Sequence, residues 1–199
     1  MRDRGVREKI VSESTKLFLQ KSFKGTSIKD ITDAAHISKG ALYWHFRSKN
    51  ELLGIIVKKY ESEFVNEIIM AVNGFEGNFE RKFRYAHKFA TEFAYDNRDL
   101  CIGFTALGAE LAGSNTALEA DIKSIYARYH SFYRGLLELG RAEGSLRDGL
   151  DIDAAAHVII GTHNGMMLEW YRNPGEETGR AYAKAYRDIL LSGFLKEKA

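Results

Sequence analysis

From Leu118 to Leu139, the apolar residues Leu118, Ile122, Ile125, Tyr129, Phe132, Leu136 and Leu139 follow a strict four-three spacing. That is the period of an α-helix with one buried face. The rhythm recurs in Phe79, Phe83, Ala86, Ala90 and Phe93, and again in Leu100, Phe104, Leu107 and Leu111 after the Asp96-Asn97 break. Only one proline, Pro174, stands in 199 residues, and the long runs carry no turn signal. Together these features predict an all-α chain. Ser114 or Asn115 is placed to cap the 118–139 helix, which stops at Gly144. Asp151 or Asp153 opens another, with Ala155, Ile159, His163, Met166 and Trp170 inward, ended by Asn173-Pro174-Gly175. A last helix starts near Glu177.

The N-terminal quarter is built differently. A first helix is expected from about Arg4 to Gln20, with Ile10, Leu17 and Phe18 inward and Arg2, Arg4, Arg7 and Lys9 as a basic arm. Phe23 and Gly25 mark the turn that follows. Thr26 or Ser27 can cap a short second helix, with Asp30 in the first turn, where the helix dipole favours negative charge. Ile28, Ile31 and Ala35 give it one apolar face, and His36 stands where the chain must reverse through a left-handed residue. Ser38 can cap a third helix from Lys39 to about Phe46, in which Leu42 and Phe46 face inward together. Tyr43, Trp44 and His45 are consecutive, so they span too wide an arc of a helix for all to be core. Ser48-Lys49-Asn50-Glu51 has the form of a capping box. The helix it starts carries Leu53, Ile56, Tyr60, Phe64 and Ile68 to about Val72, a rod expected to join both parts of the chain before Asn73-Gly74 breaks it.

The run from Ile10 to Lys49, ending Gly40-Ala41-Leu42-Tyr43-Trp44-His45-Phe46-Arg47-Ser48-Lys49, resembles the helix-turn-helix of the tetracycline-repressor (TetR/AcrR) family of transcriptional regulators. It departs from the family pattern at His36, where Gly is usual, and at Thr32, where Ala is common. The resemblance implies about nine helices: a three-helix DNA-binding domain over residues 1–48, and a helical effector-binding and dimerisation domain over 49–199. It also implies a final helix pair that forms a four-helix bundle with its two-fold mate.

Read from the residues alone, the third helix agrees with DNA binding. Exposed large apolar groups on so short a helix mark an interaction surface. Such a helix can lie in the major groove. Gly40 lets the backbone approach, Lys39, Ala41 and Trp44 are candidates for base contact, and Ser38 lies at the helix start. Thr26, Ser27, Tyr43, His45 and Lys49 are candidates for phosphate contact. Charge is distributed accordingly. Residues 1–50 hold 11 Lys and Arg against 5 Asp and Glu, net +6, whereas the remainder, 18 against 22, is net −4. A basic end beside an acidic remainder is the footprint of one domain that meets phosphates.

The rest of the chain is rich in aromatic side chains. Phe89, Phe93, Phe104, Tyr126, Tyr129, His130, His163, Met166, Met167 and Trp170 would suit a pocket for a small apolar or aromatic effector, although such a stripe serves plain core as readily. In the last two helices Ala155, Ile159, Gly161, Tyr182, Tyr186, Ile189 and Phe194 form the expected dimer interface; the same pattern would also serve a monomeric core.

No catalytic residue, cofactor or metal site is expected. Cys101 is the sole cysteine and lies on an apolar stripe. His157 and His163 are six apart, so on a helix they diverge. The N-terminus lacks the apolar stretch of a secretory signal, and no run is long enough to span a bilayer. The expectation is a cytoplasmic, homodimeric, ligand-responsive repressor that leaves a palindromic double-stranded operator when its effector binds. The alternative is a DNA-bound architectural or protein-recruiting factor of the same fold without an effector.

Overall fold

The computed structural model describes residues 2–196; the side chains of Arg2, Asp3, Arg4, Glu176 and Thr178 lie outside the description, and with them Arg2 and Arg4 of the expected basic arm. The described chain is helical from end to end: α1 (Arg2–Gly25), α2 (Ile28–Ala35), α3 (Lys39–His45), α4 (Lys49–Tyr60), a π-helical segment (Glu61–Asn66), α5 (Glu67–Gly74), α6 (Phe79–Asp96), α7 (Arg98–Glu110), α8 (Ala117–Ala142), α9 (Ile152–Arg172) and α10 (Glu176–Phe194). Since α4, the π segment and α5 follow without a break, ten α-helices among the described residues make nine rods. The all-α expectation holds. Among those residues the sole β element is an isolated antiparallel bridge between Leu146 and Leu195.

The helix ends follow from their capping residues. Ser27 caps α2 and Ser38 caps α3. The Ser48 hydroxyl accepts from the Glu51 N–H at 3.1 Å, while the Glu51 carboxylate takes the Arg47 N–H at 2.7 Å. Asp151 caps α9 through the Ala154 N–H. At α8 the residue that accepts from the Glu119 N–H is Thr116, at 3.3 Å, rather than Ser114 or Asn115. The Glu119 carboxylate in turn receives the Gly113 and Asn115 N–H groups.

The molecule divides into two compact units, residues 1–62 with 97–122 and residues 63–96 with 123–199. The expected boundary at 48/49 thus falls inside the first unit, because α4 and α7 pack with α1. Tyr60 of α4 stacks on Phe104 of α7, with ring centroids 3.9 Å apart. A Cβ on Gly103 would lie 3.2 Å from Thr15 Cγ2, so the glycine lets α7 close on α1. α1 kinks at Ser22 (φ 63, ψ 165), a conformation seldom adopted by a residue with a side chain. The amides beyond the kink are satisfied by Glu110, whose carboxylate accepts from the Phe23 and Lys24 N–H groups at 3.0 and 3.1 Å.

In the second unit, Phe79, Tyr133 and Phe194 are buried around Phe83, and Leu137 is buried as well. The Phe83 and Phe194 rings meet edge to face with centroids 6.1 Å apart. A Cβ on Gly140 of α8 would lie 2.7 Å from Phe79 Cγ, so only glycine permits that approach to α6. Full burial of a side chain such as Phe83 contributes about 1.5–3 kcal/mol.

Candidate nucleic-acid interface and ligand cavity

Three local devices hold α3 in place. Ile31 and Ala35 of α2 are buried, as are Leu42 of α3 and Phe46 just beyond it, so the two helices share one small core. Ser27 and Asp30 form a reciprocal capping box at the start of α2. The Asp30 carboxyl is held well below its ordinary value by the ammonium of Lys21 first and by Ser27 second. His36 then closes α2 in the left-handed conformation (φ 55, ψ 49), with its N–H directed to Thr32 and Asp33 carbonyls.

This arrangement turns the other side of α3 to solvent. Trp44 is 81% exposed and Tyr43 45%. Ser38, Lys39, Gly40 and Arg47 are exposed as well, while Ala41 and His45 are half-buried. The Lys39 ammonium lies 5.8 Å from the centroid of the Tyr43 ring, so the two share one patch. A Cβ on Gly40 would meet nothing closer than Ser38 Oγ at 3.8 Å. The outer surface of α3 is therefore open to close approach.

Two expected phosphate contacts are placed otherwise. Thr26 is buried, and its hydroxyl donates to the Ser22 and Leu17 carbonyls at 2.7 and 3.2 Å. The Lys49 ammonium donates to the Phe23 and Thr26 carbonyls at 2.7 and 2.8 Å. Both side chains are committed to closing α1 onto the helix pair. Ser27 remains exposed at the start of α2, with its hydroxyl bonded to Asp30.

In the second unit a narrow cavity of about 30 Å³ lies among α6, α8, α9 and α10. Its wall includes Ala90, Ala94, Tyr95, Tyr133, Met166, Met167, Trp170 and Ala183, with His87, His163, Tyr182 and Tyr186 supplying polar atoms. Burial brings His87 and His163 down to about 4, so both imidazoles are neutral at pH 7. Burial also pushes the Tyr133 phenol up to about 12. The Tyr186 hydroxyl donates to the Ile159 carbonyl at 2.9 Å, and the Trp170 indole to the Gly175 carbonyl at 3.1 Å. A Cβ on Gly179 would come within 2.9 Å of the Trp170 ring, so this glycine sets how tightly α10 seals the cavity. The lining is uncharged and mainly apolar.

Of the ten residues expected at a ligand pocket, His163, Met166, Met167 and Trp170 line this cavity. Phe89, Phe93 and Tyr129 surround Phe64 instead, with ring centroids 6.5, 5.0 and 5.5 Å away. Phe64 also lies 6.1 Å from the cavity residue His163. Phe104 belongs to the first unit, against Tyr60. Tyr126 accepts a hydrogen bond from Asn164, and His130 lies beside Asp153 and His157. Sequence reasoning missed His87, Tyr133, Tyr182 and Tyr186 as lining residues. For His87 a signal existed, since it falls four residues after Phe83 on the buried stripe of α6.

The expected dimer residues separate by burial. Ala155, Ile159, Tyr186 and Phe194 are buried inside the unit, and Tyr182 lines the cavity. Gly161 is exposed, and so are Ile189, at 70%, and Val158, at 52%. Cys101 is buried and its thiol is pushed up to about 12, which suits packing and not nucleophilic attack.

Residues 10–54 match the model of the family described as bacterial regulatory proteins, tetR family, and residues 76–194 that of the tetracyclin repressor-like C-terminal domain. The HTH-type transcriptional repressor KstR2 of Rhodococcus jostii is 25% identical over 192 residues, covering 95% of this chain and 91% of its own. The solved MbdR regulator of Azoarcus sp. CIB superposes with a TM-score of 0.87 at 24% identity, over 96% of this chain and all of the other. FadR of Bacillus subtilis, solved in complex with stearoyl-CoA, gives 0.74 at 20% identity, over 94% of this chain and 98% of its own.

Proposed function

The chain belongs to the tetR family of bacterial regulatory proteins, and from that premise we propose that it is a homodimeric repressor. It holds a palindromic operator through α3 of each copy and releases it when a small apolar effector enters the cavity of the second unit. The observation that carries the DNA-binding half is the outward face of α3. An 81% exposed Trp44 beside Tyr43 and Lys39 has no role in the fold's interior and fits the groove of a duplex. Lys39, Ala41 and Trp44 read bases, and Tyr43, Ser27 and His45 set the register on phosphates. The protein acts in the cytoplasm, where its DNA is; no described helix is long and apolar enough to cross a membrane.

Dimerisation uses the exposed side of α9 and α10. Val158, Gly161 and Gly165 on α9 and Ala181, Ala185 and Ile189 on α10 are all exposed, small or apolar, and spaced by one turn. Two copies meeting over this surface would bury it and give the dimer two α3 helices, one for each half of a palindrome.

The neutral lining of the cavity selects an apolar effector. A volume of about 30 Å³ admits only a water or two, so any effector must widen the cavity as it enters. In this reading that widening is the event that links effector to operator. Phe64 on the π segment lies against His163 of the cavity wall, and Tyr60, one turn earlier, lies against Phe104 in the first unit. A shift of His163 therefore acts on the helix that continues into α4. A hundredfold loss of operator affinity needs the effector to prefer the released state by about 2.7 kcal/mol.

The small volume is also the one observation that favours a second reading, a DNA-bound architectural or recruiting factor without an effector. Operator affinity measured with and without stearoyl-CoA and free fatty acids of graded length separates the two. Acyl chains are chosen because the similar FadR is named as a complex with stearoyl-CoA. A chain-length-dependent loss of binding supports the repressor reading. Unchanged affinity, together with no shift in melting temperature across the series, favours the second.

A further inference from the structure

On the flank of the second unit, outside the cavity, three side chains from two helices converge. His130 comes from the middle of α8, and Asp153 and His157 from the first turns of α9. One ligand atom from each lies within 4.8 Å of the other two. His130 Nε2 stands 3.6 Å from Asp153 Oδ1, and the centroids of the His130 and His157 rings are 4.1 Å apart.

We infer that His130, Asp153 and His157 form a binding site for a divalent transition-metal ion, with zinc as the reference, that clamps α8 to the start of α9. The donor set is chemically suited. Neutral imidazole nitrogens favour zinc, copper and nickel over magnesium and calcium, and one carboxylate offsets part of the charge. The geometry is nearly in place. Zinc bonds of about 2.0–2.2 Å set neighbouring donors roughly 3.4 Å apart in a tetrahedron. The His130–Asp153 pair already has that separation, and the longest gap closes by about 1.4 Å, within reach of side-chain rotation. His157 and Asp153 are both exposed, and their spacing of four puts them on one face of α9, so neither needs the backbone to move. Three protein donors leave a fourth position for water. The pairing differs from the one the sequence rules out, since His157 is joined by His130 across helices rather than by His163 along its own.

The test uses untagged, full-length protein stripped with chelator. Calorimetric titration with Zn2+ is expected to show one ion per chain, and Co2+ to give a visible absorption band typical of imidazole coordination. His157→Ala and Asp153→Asn are each expected to weaken Zn2+ at least about tenfold and to reduce the metal-induced rise in melting temperature at the same Zn2+ concentration. Melting of both variants in chelator, compared with the parent, verifies that they fold; if one is impaired, the other decides. Mg2+ is expected to give no shift. Absence of stoichiometric Zn2+ binding at micromolar concentration, or binding that neither folded variant weakens, would overturn the assignment.

Discussion

The Lys49 ammonium sits 4.3 Å from the centroid of the Phe23 ring and donates at 2.7 Å to the carbonyl of the same residue. With its second bond, to the Thr26 carbonyl, it ties the start of α4 to the strained exit of α1. α3 lies between these two points in the chain, so the presentation of Tyr43 and Trp44 depends on this tie. Replacing the charge with an apolar chain of similar length in Lys49→Met removes a charged donor from both carbonyls, although the Phe23 carbonyl keeps the Thr26 N–H at 3.4 Å. It should cost about 1.5–3 kcal/mol of stability in urea denaturation, far more than loss of one surface lysine.

His36 adopts φ 55, ψ 49, a region where a Cβ is unfavourable. His36→Gly should therefore stabilise the first unit by about 0.5–1 kcal/mol, the relief of strain being partly offset by a more flexible unfolded chain. A rise in the denaturation midpoint with unchanged slope would verify it, and DNA affinity should not change.

How much of this was legible in the sequence depends on whether a residue's partners lie along its own helix. The inward positions of Leu42 and Phe46, the cap at Ser38 and the left-handed turn at His36 follow from local spacing and local chemistry, and the structure has them. The bonds of Lys49 to carbonyls 23 and 26 residues earlier do not, because nothing in a lysine's neighbourhood announces a distant acceptor. Thr26 is similar, for a threonine before a helix serves a cap as readily as it serves the carbonyl of Leu17. On α9 the period shows that two faces are apolar, but packing alone decides that Ile159 goes inward and Val158 outward. That α7 covers α1 is equally silent in the sequence, since α7 is remote along the chain from the surface it packs on. The convergence of His130 with Asp153 and His157 likewise joins two helices and leaves no mark on either alone.

Acid should destabilise the second unit through its buried imidazoles. His87 and His163 are held near 4 by burial, against an ordinary value of 6.5, so between those values the unfolded chain binds protons that the folded one does not. Their contribution is fully present above pH 6.5 and is lost as pH falls towards 4, at up to about 1.4 kcal/mol per pH unit for each group. Urea midpoints at pH 7.5, 6 and 5 should fall accordingly, and His163→Phe should flatten the slope. A midpoint independent of pH in this window would contradict the placement of both imidazoles.

The most direct test of the central claim is selection of bound fragments from the source genome at moderate salt, run in parallel with the parent protein and Tyr43→Ala. The parent should enrich one palindromic site with half-sites a helical turn or a multiple of it apart. Tyr43→Ala should bind that site at least about tenfold more weakly. Recovery of fragments with no shared site, or a Tyr43→Ala protein that binds as tightly as the parent, would contradict the docking of α3 on DNA.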